Sequence, residues 1–168
     1  MIILGFTLKT SLKIKGTISQ APALKPGNPL PSWVGIPLKL TYFGVVGRYT
    51  DSSKLELSGL STDLKVIEDY KKDPLNHDRI SMQLLSDMVS TSKMLMENAS
   101  SFKTPLIIYH ATKDRLTSVD GSVEFSKVVG SPDKKFKQFE GVEHELHNES
   151  SIKDQVIQDY VEWIKSRV

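Results

Sequence analysis

The chain has 168 residues, of which 39% are hydrophobic, and it contains no cysteine. This length and apolar content suffice for one ordinary core, and the lack of cysteine excludes disulfides and cysteine-based zinc sites. The net charge is only +2, with basic residues scattered among acids, which argues against nucleic-acid binding. No apolar run approaches the roughly 18 residues that a membrane-spanning helix needs.

The first strand-like run is Thr17-Ile18, and the composition changes after it. Prolines punctuate residues 21 to 50, so this stretch cannot form a regular core helix. Helices are predicted over 61–72 and 78–98, because apolar residues recur there at helical spacing. The prolines and glycines of the punctuated stretch are Pro22, Pro26, Pro29, Pro31, Pro37, Gly27 and Gly35. The apolar face predicted for the second helix consists of Ile80, Leu84, Met88 and Leu95.

Four of the five methionines fall in this second helix, at positions 82, 88, 94 and 96. Thioether side chains adapt to flexible apolar shapes, which makes Met88 a candidate for an acyl-chain pocket. Ordinary packing in a core is the alternative for any one of these methionines.

The C-terminal third alternates strands and helices. Strand-like runs at 106–109 and 136–139 flank a predicted helix over 118–129, which ends before Gly130. A last helix is predicted after a capping box formed by Ser151 and Asp154. Short loops between alternating strands and helices are typical of a parallel sheet covered on both faces, so these would be the last strands of a doubly wound sheet. The apolar stripe predicted for the last helix is Ile152, Val156, Tyr160, Trp163 and Ile164.

Asp114 and His144 each lie just past one of these strands. Either residue alone would more often be an ordinary loop residue. Because the carboxyl ends of parallel strands meet at one edge of a sheet, where open α/β sheets build their sites, we expect the two side chains to lie within hydrogen-bonding reach. A carboxylate that orients an imidazole is the arrangement that activates a serine hydroxyl.

The cluster His144, His147 and Glu149 invites comparison with a zinc site. A zincin needs His-Glu-x-x-His, which places both imidazoles on one helical face, and here Asn148 stands in the fifth position. We therefore predict no metal, and we assign His147 and Glu149 to supporting or capping roles beside His144. His110 is predicted to pack beneath the loop that bears Asp114.

Several segments resemble the second half of the monoacylglycerol lipase and lysophospholipase group of α/β hydrolases, a family often labelled serine aminopeptidase-like. The similarity is most specific in the final third and departs at Ala111, where the family usually has glycine. The segments that carry the resemblance are 16–24, 103–110, Asp114-Arg115-Leu116, 141–149 and 160–164.

The resemblance implies the C-terminal portion of an α/β-hydrolase fold, with the N-terminal half of the sheet missing and a mostly helical cap inserted. Residues 1–24 would hold the helix that follows the nucleophile elbow and a core strand, residues 25–100 the cap, and residues 101–168 the acid and histidine loops. The elbow itself, G-x-S-x-G, does not occur in the 168 residues. Ser11 and Ser19 lack the flanking glycines and are rejected as substitutes.

The implied activity is carboxylic ester hydrolysis, with monoacylglycerol or lysophospholipid as substrate, Asp114 as acid, His144 as base and no cofactor. Leu116, Thr117 and Met88 are the candidate substrate-binding residues. The alternative is a non-catalytic hydrolase remnant that binds lipid or a protein partner.

The expected location is cytoplasmic or peripheral to a membrane, with contact through the cap. Loss of the upstream strands would expose the edge at Thr17-Ile18 and an apolar patch, and so promote self-association. The patch would consist of Ile2, Ile3, Leu4, Phe6 and Leu8.

Overall fold

The computed structural model describes residues 1–27 and 48–168. The described strands are β1 (Thr17–Gln20), β2 (Thr50–Ser52), β3 (Arg79–Ser81), β4 (Leu106–Ala111) and β5 (Lys134–Phe139). The α-helices are α1 (Ile2–Lys9), α2 (Leu64–Lys72), α3 (Met82–Glu97), α4 (Val119–Val128) and α5 (Lys153–Lys165). Short 3-10 helices lie at Leu57–Gly59, Ala99–Ser101 and Leu146–Asn148.

The main sheet has three parallel strands in the order β1-β4-β5. All six residues of the central strand β4 are buried, which is typical of a parallel strand covered on both faces. The predicted α/β class and the three predicted strands are therefore confirmed. Within the described residues, β1 pairs with β4 on one side and has no strand on the other, so it forms the predicted edge.

The two faces of β4 pack against different helices. Leu106 and Ile108 contact one apolar cluster, to which α1, α3 and α4 contribute. Ile107 and Tyr109 belong to a second cluster with Val156 of α5. The alternation follows from the period of two along a strand. The predicted helix between β4 and β5 and the predicted last helix thus cover opposite faces of the sheet.

The two middle helices begin later than predicted. Helix α2 begins at Leu64, where the Asp63 carboxylate accepts a hydrogen bond from the backbone N–H of Lys65. Helix α3 begins at Met82, and Ser81 caps it. Residues 79–81 instead form β3, which pairs antiparallel with β2, so the assignment of Ile80 to a helix face was wrong. Pairing with a strand about thirty residues upstream overrides the local helical pattern.

The predicted capping box at Ser151 and Asp154 was also wrong. Helix α5 begins at Lys153 without a side-chain cap. The carbonyl oxygen of Glu149 accepts hydrogen bonds from the backbone N–H groups of Ile152 and Lys153, so the turn before the helix supplies the acceptor. Of the predicted stripe, Val156 is buried, whereas Ile164 is 48% exposed.

Helix α1 forms as predicted, but its apolar residues divide between core and solvent. Ile2, Ile3 and Phe6 are exposed, and Leu8 is half-buried. Leu4 is fully buried in the cluster that α3 and β4 share, so the expectation that it would lose its packing partners was wrong. No described helix is long and apolar enough to span a bilayer. The prolines at 29, 31 and 37 and Gly35 lie outside the described residues.

Candidate active site

The Asp114 side chain is fully buried in the loop that follows β4. Its Oδ1 accepts hydrogen bonds from the backbone N–H groups of Leu116 and Thr117, each at 2.9 Å. The hydroxyl of Thr117 donates to Oδ2 at 2.9 Å. An aspartate that binds backbone N–H groups two and three residues ahead stabilises a tight turn. The loop therefore fixes its own carboxylate.

The loop that follows β5 bears His144 and is held by the predicted cap. The backbone N–H of His144 donates to the carbonyl of Gly59 at 3.2 Å, and that of Glu145 donates to Leu60 at 2.8 Å. Gly141 opens the loop with a φ of +77°, a conformation that favours glycine. The path of the histidine loop therefore depends on residues 59–60, more than eighty positions upstream.

Glu149 adds a buried carboxylate to the contact between the histidine loop and residues 59–62. Its Oε1 accepts hydrogen bonds from the backbone N–H of Glu143 at 2.9 Å and from that of Thr62 at 2.8 Å. The Thr62 hydroxyl donates to Oε2. Glu149 is fully buried, so these bonds replace the water that a carboxylate would otherwise bind. The side chain therefore ties the residue next to His144 to Thr62, in the predicted cap.

Asp114 and His144 meet where the two loops converge. The distance from Nδ1 of His144 to Oδ2 of Asp114 is 2.7 Å, a short hydrogen bond. The His144 side chain is 26% exposed, whereas the Asp114 side chain is not exposed at all. With Nδ1 donating to the carboxylate, Nε2 of a neutral ring has a lone pair that can accept a proton.

The electrostatic environment keeps Asp114 ionised. Burial alone raises the pKa of its carboxyl group, but hydrogen bonds from His110 and His144 outweigh that effect and hold the pKa well below its usual range. An ionised carboxylate is the form that can orient an imidazole and stabilise its cation.

Arg115 joins the acid loop to the histidine loop and to residues 56–58, which belong to the predicted cap. Its Nε donates to Glu143 at 3.1 Å, and its Nη1 donates to Glu56 at 2.7 Å. Its Nη2 donates to the carbonyl of Ser58 at 2.7 Å. Sequence reasoning missed this network. Its partners lie 28, 57 and 59 positions away, and the residue's place directly after Asp114 was the one local signal.

The candidate substrate-binding residues do not share one environment. Leu116 is half-buried and lies beside the cap at Gly59, where an added Cβ would approach its side chain to 3.0 Å. Thr117 is 8% exposed and its hydroxyl binds Asp114. Met88 is half-buried on α3. Their contact with an acyl chain stays a prediction.

Two other methionines of α3, Met94 and Met96, pack against the core cluster. For this pair the structure supports the alternative of ordinary packing.

Comparisons with known proteins identify the family of the chain. The profile of the family described as "Serine aminopeptidase, S33" matches residues 1–151. An abhydrolase domain-containing protein from Dictyostelium discoideum is 32% identical over 154 residues, which are 91% of this chain and 16% of that protein. A monoacylglycerol lipase from Mycolicibacterium smegmatis is 30% identical over 115 residues, which are 68% of this chain and 41% of that protein.

Among solved structures, a monoacylglycerol lipase from Paleococcus ferrophilus superposes with a TM-score of 0.92 at 25% identity. The match covers 99% of this chain and 64% of that one. The chain therefore spans less than two thirds of each of these relatives. The predicted fold, part of an α/β-hydrolase sheet with flanking helices, is confirmed. The chain belongs to the serine aminopeptidase S33 family, and its fold is that of a monoacylglycerol lipase-like α/β hydrolase.

Proposed function

We propose that Asp114 and His144 are the acid and base of a carboxylic ester hydrolase of the monoacylglycerol lipase or lysophospholipase type. The observation that carries the proposal is the 2.7 Å hydrogen bond between a buried carboxylate and a partly exposed imidazole. The two residues lie just beyond the carboxyl-terminal ends of adjacent parallel strands, where open α/β sheets place their sites. The names of the matched relatives support a lipid ester as substrate.

The chemistry requires a serine hydroxyl near Nε2 of His144. Nε2 takes the hydroxyl proton while the serine oxygen attacks the ester carbonyl carbon, and Asp114 stabilises the resulting imidazolium. The proton then passes from Nε2 to the oxygen of the leaving alcohol, and the ester carbon–oxygen bond breaks to leave an acyl-enzyme. A water molecule repeats the cycle and releases the fatty acid.

We further propose that these 168 residues alone do not turn over substrate, because no G-x-S-x-G occurs in them. Ser19 is buried on β1, and Ser11 has no flanking glycine. The proposed division is a helix and strand at 1–24, a cap at 25–100, and the core that bears Asp114 and His144 at 101–168. Contact of the cap with a membrane surface would bring the site to its substrate.

A chimera tests the proposal. The part of the Paleococcus ferrophilus lipase that this chain does not cover, provided that it contains a G-x-S-x-G, would be joined to Met1. Hydrolysis of monoacylglycerol, lysophospholipid and peptide substrates would then be compared. We expect hydrolysis of a lipid ester, and a loss of at least a thousandfold in kcat when His144 is changed to Ala, because the serine then lacks its base.

The matched control is His77→Ala, because the His77 side chain is exposed and lies outside the loops that bear Asp114 and His144. A folded chimera that hydrolyses none of these substrates, or one that is unaffected by His144→Ala, would favour the alternative of a non-catalytic remnant.

A further inference from the structure

A second histidine lies against the same carboxylate. His110 occupies the fifth of the six positions of β4 and is completely buried. Its Nε2 is 3.1 Å from Oδ2 of Asp114, the oxygen that also binds His144. Two imidazoles therefore converge on one carboxylate oxygen, one from inside the core and one from the open side of the site.

The surroundings of His110 indicate which nitrogen carries its proton. Nε2 faces two acceptors, Asp114 Oδ2 and the carbonyl oxygen of Thr117 at 3.2 Å, so it must be a donor. Nδ1 lies 2.7 Å from the hydroxyl of Ser122, which is also fully buried. A hydroxyl can donate to Nδ1 and so complete a neutral ring protonated at Nε2. The ring is fixed at both ends.

We propose that His110 is a positioning residue that shares the charge of Asp114 with His144 and thereby sets how strongly His144 holds a proton. The inference rests on the proposed function of the Asp114–His144 pair. A carboxylate that receives an additional N–H bond presents less negative charge to its other partners. With His110 in place, His144 releases its proton at lower pH, and a base must be unprotonated to act.

The other charged groups near His144 are held in separate interactions within the described residues. Arg115 pairs with Glu143 and with Glu56 of the cap. His147 is exposed and contacts the side-chain amide of Gln20 from β1. The polar groups that face His144 or its loop among the described residues are Asp114, Thr117, Arg115, Glu143, Glu145, His147, Glu149 and Gln20.

Diethylpyrocarbonate modification of the 168-residue chain measures this effect without any turnover. The reagent attacks neutral imidazole, so its rate at His144, followed by peptide mass spectrometry across a pH series, gives the titration midpoint of that residue. The variants are His110→Met, which removes the donor, and His110→Gln, which has the same length and keeps an N–H at its end. Circular dichroism confirms that each variant is folded.

We expect the His144 midpoint to rise by about half a unit to one unit in His110→Met, the scale of one hydrogen bond. In His110→Gln it should stay at the wild-type value. If His110 only fills space, both variants will leave the midpoint unchanged, and the proposal is wrong. If His110→Met fails to fold, His110→Leu replaces it, because leucine also lacks the N–H donor: the midpoint should rise by a similar amount, and an unchanged midpoint would overturn the proposal.

Asp114→Asn separates this inference from the proposed function. Loss of the carboxylate should lower the His144 midpoint, because an imidazolium loses its counter-charge. If Asp114→Asn has no effect, the acid–base pair itself is not formed in solution and the proposed function fails. If Asp114→Asn lowers the midpoint and His110→Met does not raise it, only the role of His110 is refuted.

Discussion

The loops that follow β4 and β5 differ from the α1–β1 side of the sheet in how far contacts within the chain cover their side chains. In the loops, the buried carboxylates of Asp114 and Glu149 accept hydrogen bonds on both oxygens. At the α1–β1 edge, Ile2 and Phe6 face solvent, and β1 has no second neighbour among the described residues. Contacts within this chain therefore fix the Asp114–His144 geometry. The same chain leaves the apolar outer surface of α1 exposed.

Alanine substitutions at two residues of α1, Leu4 and Ile2, should differ most in their effect on the free energy of unfolding. Leu4→Ala should lower the free energy of unfolding by about 2 to 5 kcal/mol, because Leu4 is fully buried and its loss leaves a cavity. Ile2→Ala should change it by less than about 0.5 kcal/mol, because Ile2 is 78% exposed. Urea unfolding of the two variants measures both values. Equal costs would show that α1 does not pack as described.

A substitution in the histidine loop should cost less than Leu4→Ala. Glu149→Gln replaces one carboxylate oxygen by an N–H₂ group, so a buried donor of Glu143 or Thr62 loses its acceptor. We expect a loss of about 1 to 3 kcal/mol in the free energy of unfolding. The control is Glu140→Gln, since Glu140 is exposed. If the free energy of unfolding falls no further than in the control, the hydrogen bonds of Glu149 to Glu143 and Thr62 contribute little to stability.

Acidification should distinguish Asp114 from its asparagine variant. Because the folded-state pKa of Asp114 lies below that of an unfolded aspartate, about 3.9, the ionised carboxylate stabilises the fold above that pH. The contribution is lost as pH falls through the folded-state pKa. Thermal melts should therefore show wild type losing stability below about pH 4 more steeply than Asp114→Asn. Parallel curves for the two proteins would contradict the low pKa.

The smallest effect on stability is expected at the exposed face of α1. Replacing Ile2 and Phe6 by serine should leave the unfolding transition almost unchanged, because both side chains are exposed. It should nevertheless reduce light scattering at high protein concentration if this face drives self-association. The matched control replaces Leu75 and Leu84, which are 87% and 46% exposed, by serine. If the two double variants scatter alike, this surface has no special role in association.

Local patterns in the sequence predicted the three strands of the main sheet and the two loops that follow β4 and β5. Apolar runs locate β4 and β5, and polar residues that follow them locate Asp114 and His144. The β2–β3 pairing and the bond between Glu149 and Thr62 join positions about thirty and 87 apart, so no local pattern reveals them. The capping box failed for a different, local reason, since the carbonyl of Glu149 already accepts hydrogen bonds from the backbone N–H groups at the start of α5.

Labelling by a serine-directed fluorophosphonate tests most directly the claim that this chain holds the acid and base of a hydrolase but not its nucleophile. The measurement compares the 168-residue chain with the chimera and with its His144→Ala form. We expect no labelling of the 168-residue chain, one equivalent of label on the chimera, and a loss of labelling in the His144→Ala chimera. Stoichiometric labelling of the 168-residue chain, or labelling of the chimera that does not depend on His144, would contradict it.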